Sequence, residues 1–136
     1  MRYLLTIGFT LSLGPCLAAA TTPDALINRY RQEAQSTERE LKAFSPEAGK
    51  RLYFTEKDKG GEKISCASCH TSDARSAGKS RAGKVIEPLA PSANPARFTD
   101  EAKVEKWFRR NCADVLDRPC TAKEKGEFLS YLLSIR

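Results

Sequence analysis

The sequence predicts an all-α fold in a single domain, and three observations carry that reading. Its 136 residues allow one domain of ordinary size. Apolar residues recur at helical spacing behind recognisable helix starts, and almost none of the chain alternates as a strand does. Between residues 71 and 95 there is little periodicity, and so long a loop is uncommon in a compact domain unless it covers something. A hydrophobic share of 40% with 29% charged residues excludes wholesale disorder. Four or so short helices nevertheless make a marginal core at this length without a staple or a cofactor.

The elements follow in chain order. Met1-Arg2-Tyr3 gives a basic start, Leu4 to Leu17 an apolar stretch, and Ala18-Ala19-Ala20 a small-residue end. That pattern predicts a secretory signal peptide over residues 1–20, cleaved after Ala20. The apolar stretch is short for a membrane span and is interrupted by Thr6, Gly8, Thr10 and Pro15. An uncleaved anchor, or a lipid on Cys16 despite the preceding Pro15, is the weaker reading. The mature chain is expected to be exported, soluble and periplasmic, with residues 21–44 an N-terminal helical extension and 45–136 the principal domain.

Thr22 before Pro23 starts a helix that places Leu26, Ile27, Tyr30 and Ala34 on one side. Ser45-Pro46-Glu47 starts a second, leading into Ala48, Leu52 and Phe54. Lys57 to Gly61, charged and glycine-bearing, reads as a loop. Gly78, Gly83, Pro88, Pro91 and Pro95 punctuate the long wrapping loop. A third helix is expected from Thr99 or Asp100 to about Asn111, with Val104, Trp107 and Phe108 as its apolar face. The last helix opens with the capping box Thr121-Ala122-Lys123-Glu124 and continues through Phe128, Leu129, Leu132 and Leu133. There is no internal repeat.

Counting limits the chemistry. The chain has one histidine, one methionine and five cysteines. Cleavage after Ala20 removes Met1 and Cys16 and leaves His70 with Cys66, Cys69, Cys112 and Cys120. The net charge of +6 comes from no basic run and no aromatic interleaving. It reads as a solvated surface that favours acidic partners, and export argues against nucleic acid.

Cys66-Ala67-Ser68-Cys69-His70 is a C-x-x-C-H motif, the attachment signature of c-type haem. Two thiols at this spacing reach the two vinyl groups on one porphyrin edge, and the next residue is positioned beneath the iron. A zinc site would need a fourth ligand and usually a second paired knuckle, which Cys112 and Cys120, eight apart, do not form. A thioredoxin-type pair would want a βαβ context.

The other axial position is the informative one. Electron-transfer cytochromes c usually complete the iron with methionine or a second histidine, and the mature chain would offer neither. The sixth position is then empty, water-filled, or taken by a weak donor such as Asn, Lys, Tyr or Cys. Asn111, seven residues after Val104 and four after Trp107, continues the apolar stripe. It is either a distal ligand or the cap that ends its helix. The lysines lie among charges, and Tyr53 and Tyr131 read as packing residues. Cys112 and Cys120 form a disulfide by default in an oxidising compartment, with a Cys112 thiolate ligand as the sharper alternative. Trp107, Phe108 and Leu89 are candidates for a dry pocket wall, and Arg109 or Arg110 for a propionate partner.

The helix Ala48-Gly49-Lys50-Arg51-Leu52-Tyr53-Phe54 ahead of the motif, with the amphipathic C-terminal helix, resembles class I cytochrome c. Residues Ile86 to Ser92, Asn94-Pro95 and Lys103 to Cys112 more closely resemble the Sphaeroides haem protein family, over about residues 45–135. The resemblance implies a single-domain class I cytochrome c fold wrapped around one covalent haem c. Cys66 and Cys69 would hold that haem, with His70 proximal and Asn111 as sixth ligand of a high-spin ferric iron beside a Cys112–Cys120 bridge. It also implies that Asn111 leaves on reduction and that the ferrous protein binds oxygen, nitric oxide and similar ligands. A dihaem cytochrome c and a membrane b-type cytochrome would be the electron donors. A monomer or weak dimer is expected. Three function classes follow: a redox-gated ligand-binding cytochrome, a conventional electron carrier, and an enzyme processing oxygen or nitric oxide.

Overall fold

The structure is a computed structural model that describes residues 20–136. The expected signal peptide therefore lies outside the described residues, Ala20 excepted. Among the described residues five helices carry the architecture: α1 (Pro23–Ala34), α2 (Pro46–Phe54), α3 (Cys66–His70), α4 (Glu101–Leu116) and α5 (Ala122–Ser134). Thr22, Ser45, Asp100 and Thr121 cap α1, α2, α4 and α5, each side chain accepting from a backbone N–H of the first turn. Proline opens α1 and α2, where its missing N–H has no intrahelical partner to lose.

Helices α2 and α5 form the central pair, and α1 packs on α5. Contact between α2 and α5 is intimate at Gly49, where a Cβ would come within 1.9 Å of the Glu127 carbonyl oxygen. Leu26, Tyr30, Tyr53, Leu129 and Leu132 are fully buried, and each such side chain contributes about 1.5–3 kcal/mol by leaving water. Tyr53 meets Tyr131 and Phe128 ring to ring, while Phe108 joins Phe128 to Tyr30. One aromatic seam thus runs through helices α1, α2, α4 and α5.

The structure corrects several local expectations. The segment from Lys57 is no loop: β1 (Lys57–Lys59) pairs antiparallel with β2 (Glu62–Ile64). Gly60 and Gly61 turn the chain between them, both at positive φ as a two-residue hairpin turn requires. Charged, exposed strands carry no apolar alternation to read. The long loop contains a second small hairpin, β3 (Gly78–Lys79) with β4 (Val85–Ile86). In α2 the buried positions are Gly49 and Tyr53, and Phe54 is exposed. In α5, Leu133 is exposed and Tyr131 buried. Helix α4 runs five residues past Asn111 and buries Val104, Phe108 and Cys112. Its buried stripe therefore passes through Phe108 and Cys112, and Trp107, 44% exposed, lies off it.

A polar cluster joins α1, α4 and α5 at one edge of the core. Glu105 is paired with Arg29, accepts from the Tyr30 hydroxyl at 2.6 Å and bonds Lys125 at 2.7 Å, and Arg29 also pairs with Glu101. Burial alone would raise the Glu105 carboxyl. Hydrogen bonds from Lys125 and Tyr30, with the charges of Lys125 and Arg29, hold it below the ordinary value instead. Lys59 pairs with Asp117, which clasps the first hairpin to the end of α4.

Candidate haem site

Helix α3 holds three chemistry-bearing residues in five positions. It opens at Ser65, whose N–H donates to the Ser68 hydroxyl at 3.0 Å, and it ends where Thr71 turns to φ 64°. The helix is held from two sides. Gly78 lies so close that a Cβ there would come within 2.0 Å of the Cys69 carbonyl oxygen. From α2, the Tyr53 hydroxyl donates to the carbonyls of His70 (3.0 Å) and Thr71 (2.7 Å).

Cys66 and Cys69 are free thiols, each half-buried. Burial, more than any charge, pushes the Cys66 thiol up to about 11. A lowered thiol pKa, the mark of a redox-active cysteine, is therefore not a feature of Cys66. Burial also drives the His70 imidazole down to about 4, with the positive charge of Arg97 adding to the effect. His70 is therefore neutral at ordinary pH. Its Nδ1 is buried with no hydrogen-bond partner among the described residues. Among those residues no three His, Cys, Asp or Glu side chains converge as a protein-only metal site.

The long loop is threaded past α3. Leu89 and Ala90 both donate backbone N–H groups at 2.8 Å to the Ala74 carbonyl, and both side chains are buried. Arg97, which sequence reasoning missed, donates from Nε to the Pro88 carbonyl (2.8 Å) and from Nη2 to that of Glu87 (2.6 Å). Burial depresses its pKa against the opposing pull of Glu87. A lone arginine in an aperiodic loop leaves no local signal. Arg109 and Arg110, the sequence candidates for a propionate, are both exposed. Arg110 instead lies 5.5 Å from the Trp107 ring centre, and Lys106 lies 5.9 Å from it.

Cys112 and Cys120 are joined by a disulfide, Sγ–Sγ 2.04 Å. A bridged Cys112 has no thiolate to offer. The cap of α4 is Asp117, in the left-handed conformation, so Asn111 does not end its helix. Asn111 is half-buried, one residue before the bridge. A cleft lined by Glu105, Phe108, Arg109, Pro119, Cys120 and Lys125 opens beside the bridge and does not include the thiols, His70 or Asn111.

A family model described as a domain of unknown function (DUF1924) matches residues 39–132. The cytochrome c-type protein SHP of Cereibacter sphaeroides is 43% identical over 120 residues, 88% of this chain and 88% of that protein. The chain belongs to the SHP family of c-type cytochromes. Two solved structures of these cytochromes share its fold. Oxidised cytochrome c'' from Methylophilus methylotrophus superimposes with a TM-score of 0.77 at 38% identity, over 84% of this chain and 94% of that one. Oxidised SHP, described as an oxygen-binding cytochrome c, gives 0.73 at 43% identity over 82% and 96%.

An SHP-family chain is a monohaem c-type cytochrome with the all-α class I fold and one covalently bound haem c. The residues on α3 fit that group. Two unpaired thiols share one short helix, and the imidazole at its end is neutral, with Nδ1 unpartnered among the described residues. Arg97 adds a half-buried cation that, among the described residues, bonds backbone carbonyls and feels the charge of Glu87, chemistry that suits a propionate. Trp107, Phe108 and Leu89 differ in placement: Phe108 and Leu89 lie in the core, and Trp107 has much of its surface open. Among the described residues no helix is long and apolar enough to cross a membrane.

Proposed function

We propose that this chain is an exported, periplasmic, high-spin cytochrome whose reduced form takes up a diatomic ligand, oxygen or nitric oxide, when a weak sixth ligand withdraws. In this reading Cys66 and Cys69 hold the haem through thioether bonds, His70 is the proximal ligand and Asn111 the distal one. The haem supplies an iron that changes oxidation state and accepts a sixth ligand. His70 would hold that iron through its imidazole.

A single observation carries the proposal. His70 is the one histidine of the whole chain, and Met1 the one methionine. No second strong axial donor of the usual kind is present. Asn111 is half-buried in mid-helix and restrained by the bridge beside it. A neutral carboxamide is a weak donor that prefers the harder ferric state, so reduction favours its release. Once free, it can donate a hydrogen bond to the incoming ligand. The oxygen binding ascribed to SHP supports the same reading. Electrons would come from partner cytochromes, a dihaem cytochrome c and a membrane b-type cytochrome.

Absorption spectra of both oxidation states, with and without oxygen, nitric oxide and carbon monoxide, test the proposal. A high-spin ferric spectrum and a ferrous form that binds all three gases is the expected result. Low-spin spectra in both states, indifferent to the gases, would make the protein a conventional electron carrier.

A further inference from the structure

Tyr53 stands apart from its aromatic neighbours because its hydroxyl reaches the backbone of the C-x-x-C-H helix. Its ring is fixed independently, by Tyr131 at 5.5 Å, Phe128 at 6.0 Å and Phe54 at 5.0 Å between ring centres. The single hydroxyl proton is shared between the carbonyl oxygens of His70 and Thr71, at 3.0 and 2.7 Å.

Those two carbonyls bracket a strained residue. Thr71 has φ 64° and ψ 168°, a conformation that Cβ contacts disfavour and that is a genuine outlier for a β-branched side chain. Left alone, the peptide would relax to negative φ and carry the His70 carbonyl and Cα with it. The Thr71 hydroxyl donates to the Asp73 carbonyl at 2.6 Å, an exposed local contact beyond the turn.

We infer that Tyr53 is a positioning residue for the proximal ligand: its hydroxyl pins the strained turn at Thr71 and so fixes the depth and tilt of the His70 imidazole. The inference rests on His70 being the iron's proximal donor. A merely structural role, satisfying a carbonyl at a helix end, would affect stability and leave the iron–imidazole bond unchanged. A positioning role alters that bond, because a tilted imidazole overlaps less well with the metal.

The test is resonance Raman spectroscopy of the reduced, ligand-free holoprotein, read at the iron–histidine stretching band. In Tyr53→Phe, which keeps the ring, the band should move to lower frequency and broaden. In Tyr53→Phe/Thr71→Gly, where glycine accepts the turn without strain, it should return to the wild-type position and width. If Tyr53→Phe yields no holoprotein, recovery of holoprotein with the wild-type band in the double variant supports the inference equally. An unchanged band in Tyr53→Phe overturns it, as does failure of Thr71→Gly to rescue. Absence of an iron–histidine band in the wild type would instead overturn the assignment of His70, and the role of Tyr53 with it.

Discussion

Asn111 sits one residue before a covalent bridge and five before the end of its helix, so replacing it should change little except what its carboxamide touches. Asn111→Ala is expected to alter the ferric absorption spectrum and leave the ferrous spectrum close to wild type. An unaltered ferric spectrum would mean that another group is the sixth ligand. Alanine is also the better helix former, by a few tenths of a kcal/mol, so thermal stability should not fall. At this scale the sequence was legible where the chemistry is local. Cys66, Cys69 and His70 declare themselves because thioether spacing is a matter of adjacent positions. Tyr53 and Arg97 did not, because each acts through partners distant in sequence or through backbone carbonyls, which have no residue signature.

Among the elements, α4 shows most clearly how sequence signals compete. Asn111 followed by Cys112 resembles a helix stop, and the apolar stripe read from the sequence ends there. The helix continues because Ala113, Val115 and Leu116 tolerate it, and the left-handed Asp117 makes the real stop. The last turn is tied across to the start of α5 by the bridge. Cys112→Ser/Cys120→Ser should cost about 2.5 kcal/mol by loop-closure entropy. Chemical denaturation of the holoprotein would measure it. A faster hydrogen exchange confined to residues 111–120 should accompany the loss, because the amides before the cap lose their anchor. The first hairpin was missed for the opposite reason. Lys57–Lys59 and Glu62–Ile64 are mostly exposed, so only the Gly60-Gly61 pair marked the turn, and without flanking apolar alternation it reads as loop.

Over the whole molecule, helix α1 is integral to the core. Leu26, Tyr30 and Ala34 join the buried cluster that Leu129, Leu132 and Phe108 supply from the other side. Glu105 ties that helix to α4 and α5. Because its folded pKa lies below the ordinary value of 4.5, its contribution is full above that pH and fades as pH falls through the folded value. Glu105→Gln should therefore destabilise the protein by about 1–3 kcal/mol at neutral pH. The gap from wild type should close on acidification, read from melting curves between neutral and strongly acidic pH. A gap that does not narrow would show the charge to be irrelevant. Helix number and order were readable because every long helix announces itself with a cap and an apolar stripe. How the stripes meet was not, since Gly49 against Glu127 is a contact between distant stretches of chain. Trp107, meanwhile, is the one tryptophan of the sequence. Its ring, lying between Lys106 and Arg110 one turn before Asn111, gives the protein a single-site intrinsic fluorophore. Haem absorbs where indole emits, so the holoprotein should be dark and should brighten as the chain unfolds. The same emission would time how quickly the fold closes around its pigment, with no label attached.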